Sequence, residues 1–108
     1  MPFLPDRVRA MLADVPNVTE KQMFGGLAFM VNDKLCVCAY ENEILCRLDP
    51  ALQEEAAEQH GCRLMHSNGR TYKGYIYVNE QILRQENQLQ YWVNLCLEFN
   101  QYAQKSKR

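Results

Sequence analysis

The chain has 108 residues, 47% of them apolar and 23% charged, with a formal net charge of −1. These figures suit one soluble globular domain with a core of its own and exclude disordered, fibrous and disulfide-scaffold classes. Unbroken apolar runs such as Leu27 to Val31 are far short of the ~20 residues that span a bilayer, and the Met1-Pro2-Phe3-Leu4-Pro5 start lacks a charged region followed by a long apolar one. Neither a membrane span nor ordinary secretion is expected, and the setting reads as cytoplasmic. The five cysteines, an odd number, read as reduced thiols.

In chain order, Pro5 opens a short amphipathic helix that places Val8, Met11 and Leu12 on one face and stops before Val15-Pro16. From Gly25 the texture is β-rich. Leu27–Val31, Leu35–Tyr40 and Ile44–Leu48 are separated by the turn pairs Asn32-Asp33 and Glu41-Asn42, which predicts an antiparallel meander. Two-residue turns set Met30 opposite Leu35 and Ala39 opposite Ile44. One face then collects Ala28, Met30, Leu35, Val37, Ala39, Ile44, Cys46 and Leu48 and is expected to meet the helices. The other carries Leu27, Phe29, Val31, Cys36, Cys38, Tyr40, Leu45 and Arg47, too apolar for a face open to water. It is expected to have a cover, and homodimerisation through Leu27, Phe29, Val31, Cys36, Cys38, Tyr40 and Leu45 is the concrete form of that expectation.

Asp49-Pro50 supplies a cap and a first-turn proline for a helix over Ala51–His60, closed by Gly61. Cys62–Met65 and Tyr72–Val78 read as strands around Ser67-Asn68-Gly69, with Gly74 as a bulge. Leu89, Trp92, Val93, Cys96 and Leu97 recur at helical spacing, which puts Trp92 in the core of a last helix that Lys105, Lys107 and Arg108 follow. The order αβββαββα favours an α+β two-layer domain with a mainly antiparallel sheet over a doubly wound parallel one.

No pattern demands catalysis. Cys36-x-Cys38 on a strand would aim both thiols at one face, with Cys46 nearby, but zinc sites take separated pairs from turns, so packing is the expected role. His60, Cys62 and His66 gather loosely at the end of the second helix, where a favourable dipole explains the imidazoles. Glu54, Glu55 and Glu58 read as a solvated face, and Gly25-Gly26 lacks the rest of a phosphate loop. No catalytic residue, metal or cofactor is expected. A cysteine-based redox sensor or small enzyme using Cys36, Cys38 or Cys62 is the alternative. Direct nucleic-acid binding ranks last, because the only like-charged block is the terminal Lys105-Ser106-Lys107-Arg108.

Two segments stand apart: Met23-Phe24-Gly25-Gly26 just before the meander, and Lys73-Gly74-Tyr75 in the last strand. With Leu35-Cys36-Val37, Leu45-Cys46-Arg47-Leu48 and the helix bearing Trp92, they resemble the N-terminal domain of the TfoX/Sxy competence regulators along nearly the whole chain. The resemblance implies a compact α+β domain of secretion-chaperone-like arrangement. It also implies a regulator that works through protein contacts, with a transcription factor of the cyclic-AMP receptor protein type as partner. Full-length regulators of this kind carry a second, helical C-terminal domain, which the sequence ending at Arg108 lacks, so a stand-alone interaction domain is expected. The glycines of the first motif have an architectural role open to them, in backbone angles or close approach. As an interaction surface, Met23, Phe24, Gly25, Gly26, Arg47, Lys73, Gly74, Tyr75 and Tyr77 are the candidates, since Tyr and Arg are the side chains that anchor interfaces.

Overall fold

A computed structural model describes residues 3–23 and 25–103. Phe24 and the basic terminus with Lys105, Lys107 and Arg108 lie outside the described residues. Helix α1 (Leu4–Met11) starts at the proline and buries Leu4, Val8 and, just beyond it, Leu12. Strand β1 (Val18–Met23) comes next and is absent from the sequence-based order, because VTEKQM is polar and largely exposed and therefore reads as a loop. It pairs with β2 (Gly26–Val31), so the conspicuous glycine motif is the reversal of a hairpin: Met23 lies opposite Gly26, and Gly25 takes φ +78°. Glu20 of β1 accepts from Arg9 of α1 at 2.6 and 3.0 Å and so ties this edge strand to the helix layer. The Arg9 guanidinium holds the Glu20 carboxyl below its ordinary pKa.

Strands β3 (Lys34–Ala39) and β4 (Glu43–Arg47) continue the meander. Both turns are the expected two-residue ones. Asn32 and Asp33 both have positive φ, as the twist of a tight hairpin asks, and Tyr40 donates its N–H to Glu43 across the second turn. Asp49 caps Ala51 at 2.9 Å and starts a 3-10 turn at Pro50–Leu52 that runs into α2 (Gln53–Glu58). That helix ends earlier than predicted, with Gln59 already extended before the turn at Gly61. Strands β5 (Cys62–Ser67) and β6 (Arg70–Asn79) form a hairpin around Asn68-Gly69, and a 3-10 turn at Ile82–Arg84 leads into α3 (Glu86–Asn100). The result is an α+β fold built on a six-stranded, wholly antiparallel sheet ordered β1-β2-β3-β4-β6-β5.

The helices cover one side of this sheet. Leu89, Trp92, Val93 and Cys96 of α3 and Val8 of α1 pack with Phe29, Val37, Ile44, Cys46, Ile76 and Val78 in the main core. Burying a side chain the size of Trp92 or Phe29 stabilises by roughly 1.5–3 kcal/mol. The far end of α3 is latched to the β2–β3 hairpin by Asn100, whose side chain is buried. It donates to the Val31 carbonyl at 3.2 Å and accepts from Asn32, while the Asn100 carbonyl accepts from Lys34 at 3.1 Å.

The expected assignment of sides needs correction. Met30 does face Leu35 and Ala39 does face Ile44, but the register slips between Phe29 and Met30, so Phe29 pairs with Val37 and Ala28 with Cys38. Cys36 is the surplus residue of a β-bulge, and a one-residue slip exchanges the two sides of a strand. Phe29, Val31, Leu27 and Cys36 therefore pack on the helix side, whereas Ala28, Met30 and Leu35 lie on the other with Cys38 and Leu45. Val37, Ala39, Ile44, Cys46 and Leu48 keep their expected helix-side position.

Gly74 marks a second irregularity. Its φ is +82°, a Cβ there would sit 2.6 Å from the Leu48 carbonyl oxygen, and its own N–H and C=O bond Gln53 and Leu48. Gly74→Ala is expected to lower stability by at least about 2 kcal/mol, combining the left-handed penalty with an overlap that backbone cannot relieve. Gly69→Ala, at φ +75° with open space around the new methyl, is expected to cost about 1 kcal/mol. Urea unfolding of the two variants gives the comparison, and equal losses would refute the close-approach argument.

Candidate functional site

The side of the sheet away from the helices has its own small core. Ala28, Met30, Leu35, Cys38, Leu45 and Met65 are buried there, and Met23, Tyr40, Tyr72, Tyr75 and Tyr77 pack against them half-buried. Among the described residues no helix contributes to this cluster. The cover that the apolar pattern calls for is supplied by the strands' own long side chains, chiefly the tyrosines. This is an antiparallel sheet that meets water through phenol rings rather than through short polar residues.

Register explains how the rings come together. Leu45 lies opposite Tyr77 and Arg47 opposite Tyr75 across β4–β6, and Arg63 lies opposite Tyr77 across β5–β6. The bulge at Gly74 shifts the β5–β6 register between Leu64 and His66 and lets Tyr72 join Tyr75 and Tyr77 on one side. Tyr40 and Tyr77 stand with ring centroids 6.2 Å apart, as do Tyr72 and Tyr75. Three rings carry a guanidinium: Arg63 over Tyr77 at 4.2 Å, and Arg47 over Tyr75 and Arg70 over Tyr72, each at 5.6 Å. Arg63 is also held by two hydrogen bonds to Glu43, which raise its pKa further. Burial lifts the Tyr40 phenol above its ordinary value, with Cys38 and Tyr77 adding to the shift, so the ring stays neutral.

Of the predicted interaction residues, Met23, Arg47, Tyr75 and Tyr77 share this face. Gly25 and Gly26 lie at the end of the β1–β2 hairpin, where a Cβ on Gly26 would press to 2.9 Å from the Ala39 carbonyl and the Tyr40 ring. Lys73 is exposed, while Gly74 packs toward Leu48 and Pro50 on the helix side. The predicted dimer face is divided: Cys38, Tyr40 and Leu45 belong to the tyrosine side, and Leu27, Phe29, Val31 and Cys36 belong to the core beneath the helices. Tyr72, Arg63, Arg70 and Met65 were not anticipated. The available signal was the bulge at Gly74, which changes the parity of every residue before it.

With the face described, comparison with known proteins decides the family. The TfoX N-terminal domain family matches residues 10–100. The chain belongs to that family. No curated protein and no solved structure matches it. In this TfoX N-terminal domain the glycine motif that carried the resemblance is thus a hairpin reversal, and Lys73-Gly74-Tyr75 is the bulge that gathers the tyrosines.

The other candidate chemistries fare differently. Cys36 and Cys38 face opposite sides because of the bulge, contrary to the expectation of a shared face. Among the described residues no group of His, Cys, Asp and Glu is arranged to hold a metal ion. Cys62 and His66 line an open cleft of about 510 Å³ beside β5 with Arg63, Leu64 and Tyr77; His60 does not line it, and His66 instead shares a 2.8 Å hydrogen bond with Thr71. Burial pushes the Cys36, Cys38, Cys62 and Cys96 thiols up from their ordinary value, with Cys46 adding to the effect on Cys96. Of the five, only Cys62 is not fully buried. A thiol reagent at about pH 8 is therefore expected to modify Cys62 in the folded domain, more slowly than a free thiol, and the other four cysteines only at the rate of unfolding. Mass spectrometry of the labelled sites reads this out, and rapid native labelling of Cys38 would contradict the burial of the tyrosine-side core.

Proposed function

We propose that this TfoX N-terminal domain is a non-enzymatic protein-interaction domain and that the tyrosine side of its sheet is the contact surface. The observation that carries the reading is a sheet with helices on one side and, on the other, four tyrosines, three arginines and the half-buried Met23 over a buried apolar floor. Tyr, Arg and Met are the residue types enriched where proteins meet, because each offers a large, weakly hydrated contact with a polar tip or a polarizable body. The preformed floor and the tilted, edge-on contacts between the rings hold these side chains in place, so docking costs less side-chain entropy than ordering free chains would. Membership in the family supports a regulatory role through protein contacts, with a transcription factor of the cyclic-AMP receptor protein type as the partner class, in the cytoplasm. A cysteine-based activity draws less support, since Cys36 and Cys38 are buried, Cys62 is partly so, and burial pushes all three thiols up and away from reactivity.

Replacing Tyr75 by a photo-crosslinking phenylalanine analogue in the native cell is expected to trap a discrete heterologous protein on irradiation. The same analogue at Glu54, on the exposed side of α2, is expected to trap none of it. Identical products from both positions, or none from position 75, would sink the assignment of the surface.

A further inference from the structure

The sheet has two edges, β1 and β5, and only the first is guarded. We infer that the outer edge of β5 receives an extended segment of a partner protein as a further strand, one that sets an apolar side chain between two basic ones on the side facing α2. This is a second interface, beyond the tyrosine side and with an occupant of its own, so products trapped from α2 and from position 75 differ.

Hydrogen bonding fixes which backbone groups the edge leaves open. Asn79 donates its N–H to the Gly61 carbonyl, while the Gly74 carbonyl accepts from Leu48, so β6 turns Asn79, Tyr77 and Tyr75 toward β5 and Val78, Ile76 and Gly74 toward β4. Tyr77 is therefore bonded to Arg63, its partner in the register. Strand β5 then turns Leu64 and His66 the other way, with N–H and C=O both facing away from β6. Cys62 has the same orientation, but its N–H is already given to the Gln59 carbonyl. These three residues also line the open cleft of about 510 Å³, whose wall is Ala57 of α2. An unpaired strand edge running beside a helix is a place where an extended peptide can add by main-chain hydrogen bonds.

Strand β1 is the contrast. It carries Glu20 and Lys21, and the Glu20–Arg9 bridge ties it to α1, charges that discourage pairing at an edge. Arg63 does not guard β5 in this way, because it folds inward over Tyr77 to Glu43 of β4.

The chemistry of the cleft selects the segment. Cys62 and Leu64 pack on the main core from the edge, and with Ala57 they make an apolar hollow on the α2 side. Glu54 lies three residues before Ala57 and one turn before Glu58, which puts both carboxylates along the flank of α2 that Ala57 presents to the cleft. Both are exposed, α2 has no basic residue, and among the described residues neither has a salt bridge. A strand added to β5 points alternate side chains to this side, an apolar one into the hollow and a lysine or arginine two residues to either side of it toward the glutamates. A second copy joined edge to edge would instead bring α2 beside its own mate, glutamates against glutamates.

The test is fluorescence anisotropy with a labelled peptide of about nine residues, valine at its centre, lysine two residues to either side and threonine elsewhere, against the same peptide with glutamate for lysine. The lysine peptide is expected to bind at least about tenfold more tightly than the glutamate peptide, to weaken as salt rises, and to lose about threefold to tenfold in affinity with Glu58→Lys. Lys21→Glu, at the other edge, is expected to leave it within about twofold. Amide hydrogen exchange locates the added strand: Leu64 and His66 are expected to slow at least about tenfold on binding, with Arg63 unchanged. Glu58 and Lys21 are exposed, so these substitutions test the surface rather than the fold, and circular dichroism of the variants verifies this. The inference is overturned by no binding of the lysine peptide, by an equal or tighter glutamate peptide, by indifference to Glu58→Lys, by unchanged exchange at Leu64 and His66, or by a stable dimer that buries β5. Each of these results leaves the tyrosine side to its own test, the crosslink at position 75.

Discussion

A single surplus residue, Cys36, decides which side chains the helices cover. With strict alternation through the β2–β3 hairpin, Phe29 would point away from the helices and Met30 toward them. The bulge reverses this, and Phe29 becomes one of the largest fully buried side chains of the main core, in the same cluster as Trp92. Because the side-chain period of a strand is two, a slip of one residue moves a whole strand's apolar set at once. The helix layer, the position of the cysteines and the composition of the exposed sheet side all depend on that local event.

The second consequence is an unequal pair of cores. The helix-side core has α1, α2 and α3 to enclose it. The other is only one side chain deep, and its floor of Leu45, Cys38 and Ala28 stays dry because phenol rings and methionines lie over it. A ring in that position has one surface on the floor and its hydroxyl toward water, an arrangement suited to an amphipathic side chain. Stacked guanidinium groups add about 0.5–1 kcal/mol each at partly exposed sites, enough to bias the rings toward one arrangement without locking them.

Legibility in the sequence followed the range of the signal. The turns at Asn32-Asp33, Glu41-Asn42 and Asn68-Gly69, the cap at Asp49, the proline start of α1 and the apolar stripe of α3 were readable, since each depends on neighbours within a few residues. Strand β1 was not, because an edge strand gains from polar and charged side chains that discourage further pairing, and VTEKQM therefore lacks the apolar alternation that marks a strand. The bulge at Cys36 left no local trace either. Its cause is tertiary, in the gain from placing Phe29 beneath the helices. Part of the candidate surface was legible through residue type, as with Arg47, Tyr75 and Tyr77, while Tyr72, Arg63 and Arg70 needed the β5–β6 register to be known.

Net charge is where a whole-chain figure conceals most. Near-neutrality argues against a strong electrostatic partner only if the charges are mixed, and electrostatic attraction at contact distance depends on what lies within about a Debye length, ~8–10 Å in ordinary salt. In this fold the two signs are unevenly distributed, with Arg7 and Arg9 among the carboxylates of the helix side and Glu43 among the arginines of the other. Glu54, Glu55 and Glu58 lie on the helix side of the sheet, and Arg47, Arg63 and Arg70 on the other. The pairings within each layer refine this further. Glu20 and Asp6 share Arg9 on the helix side, and Glu43 pairs with Arg63 on the other, so charges of opposite sign are neutralised locally on each side.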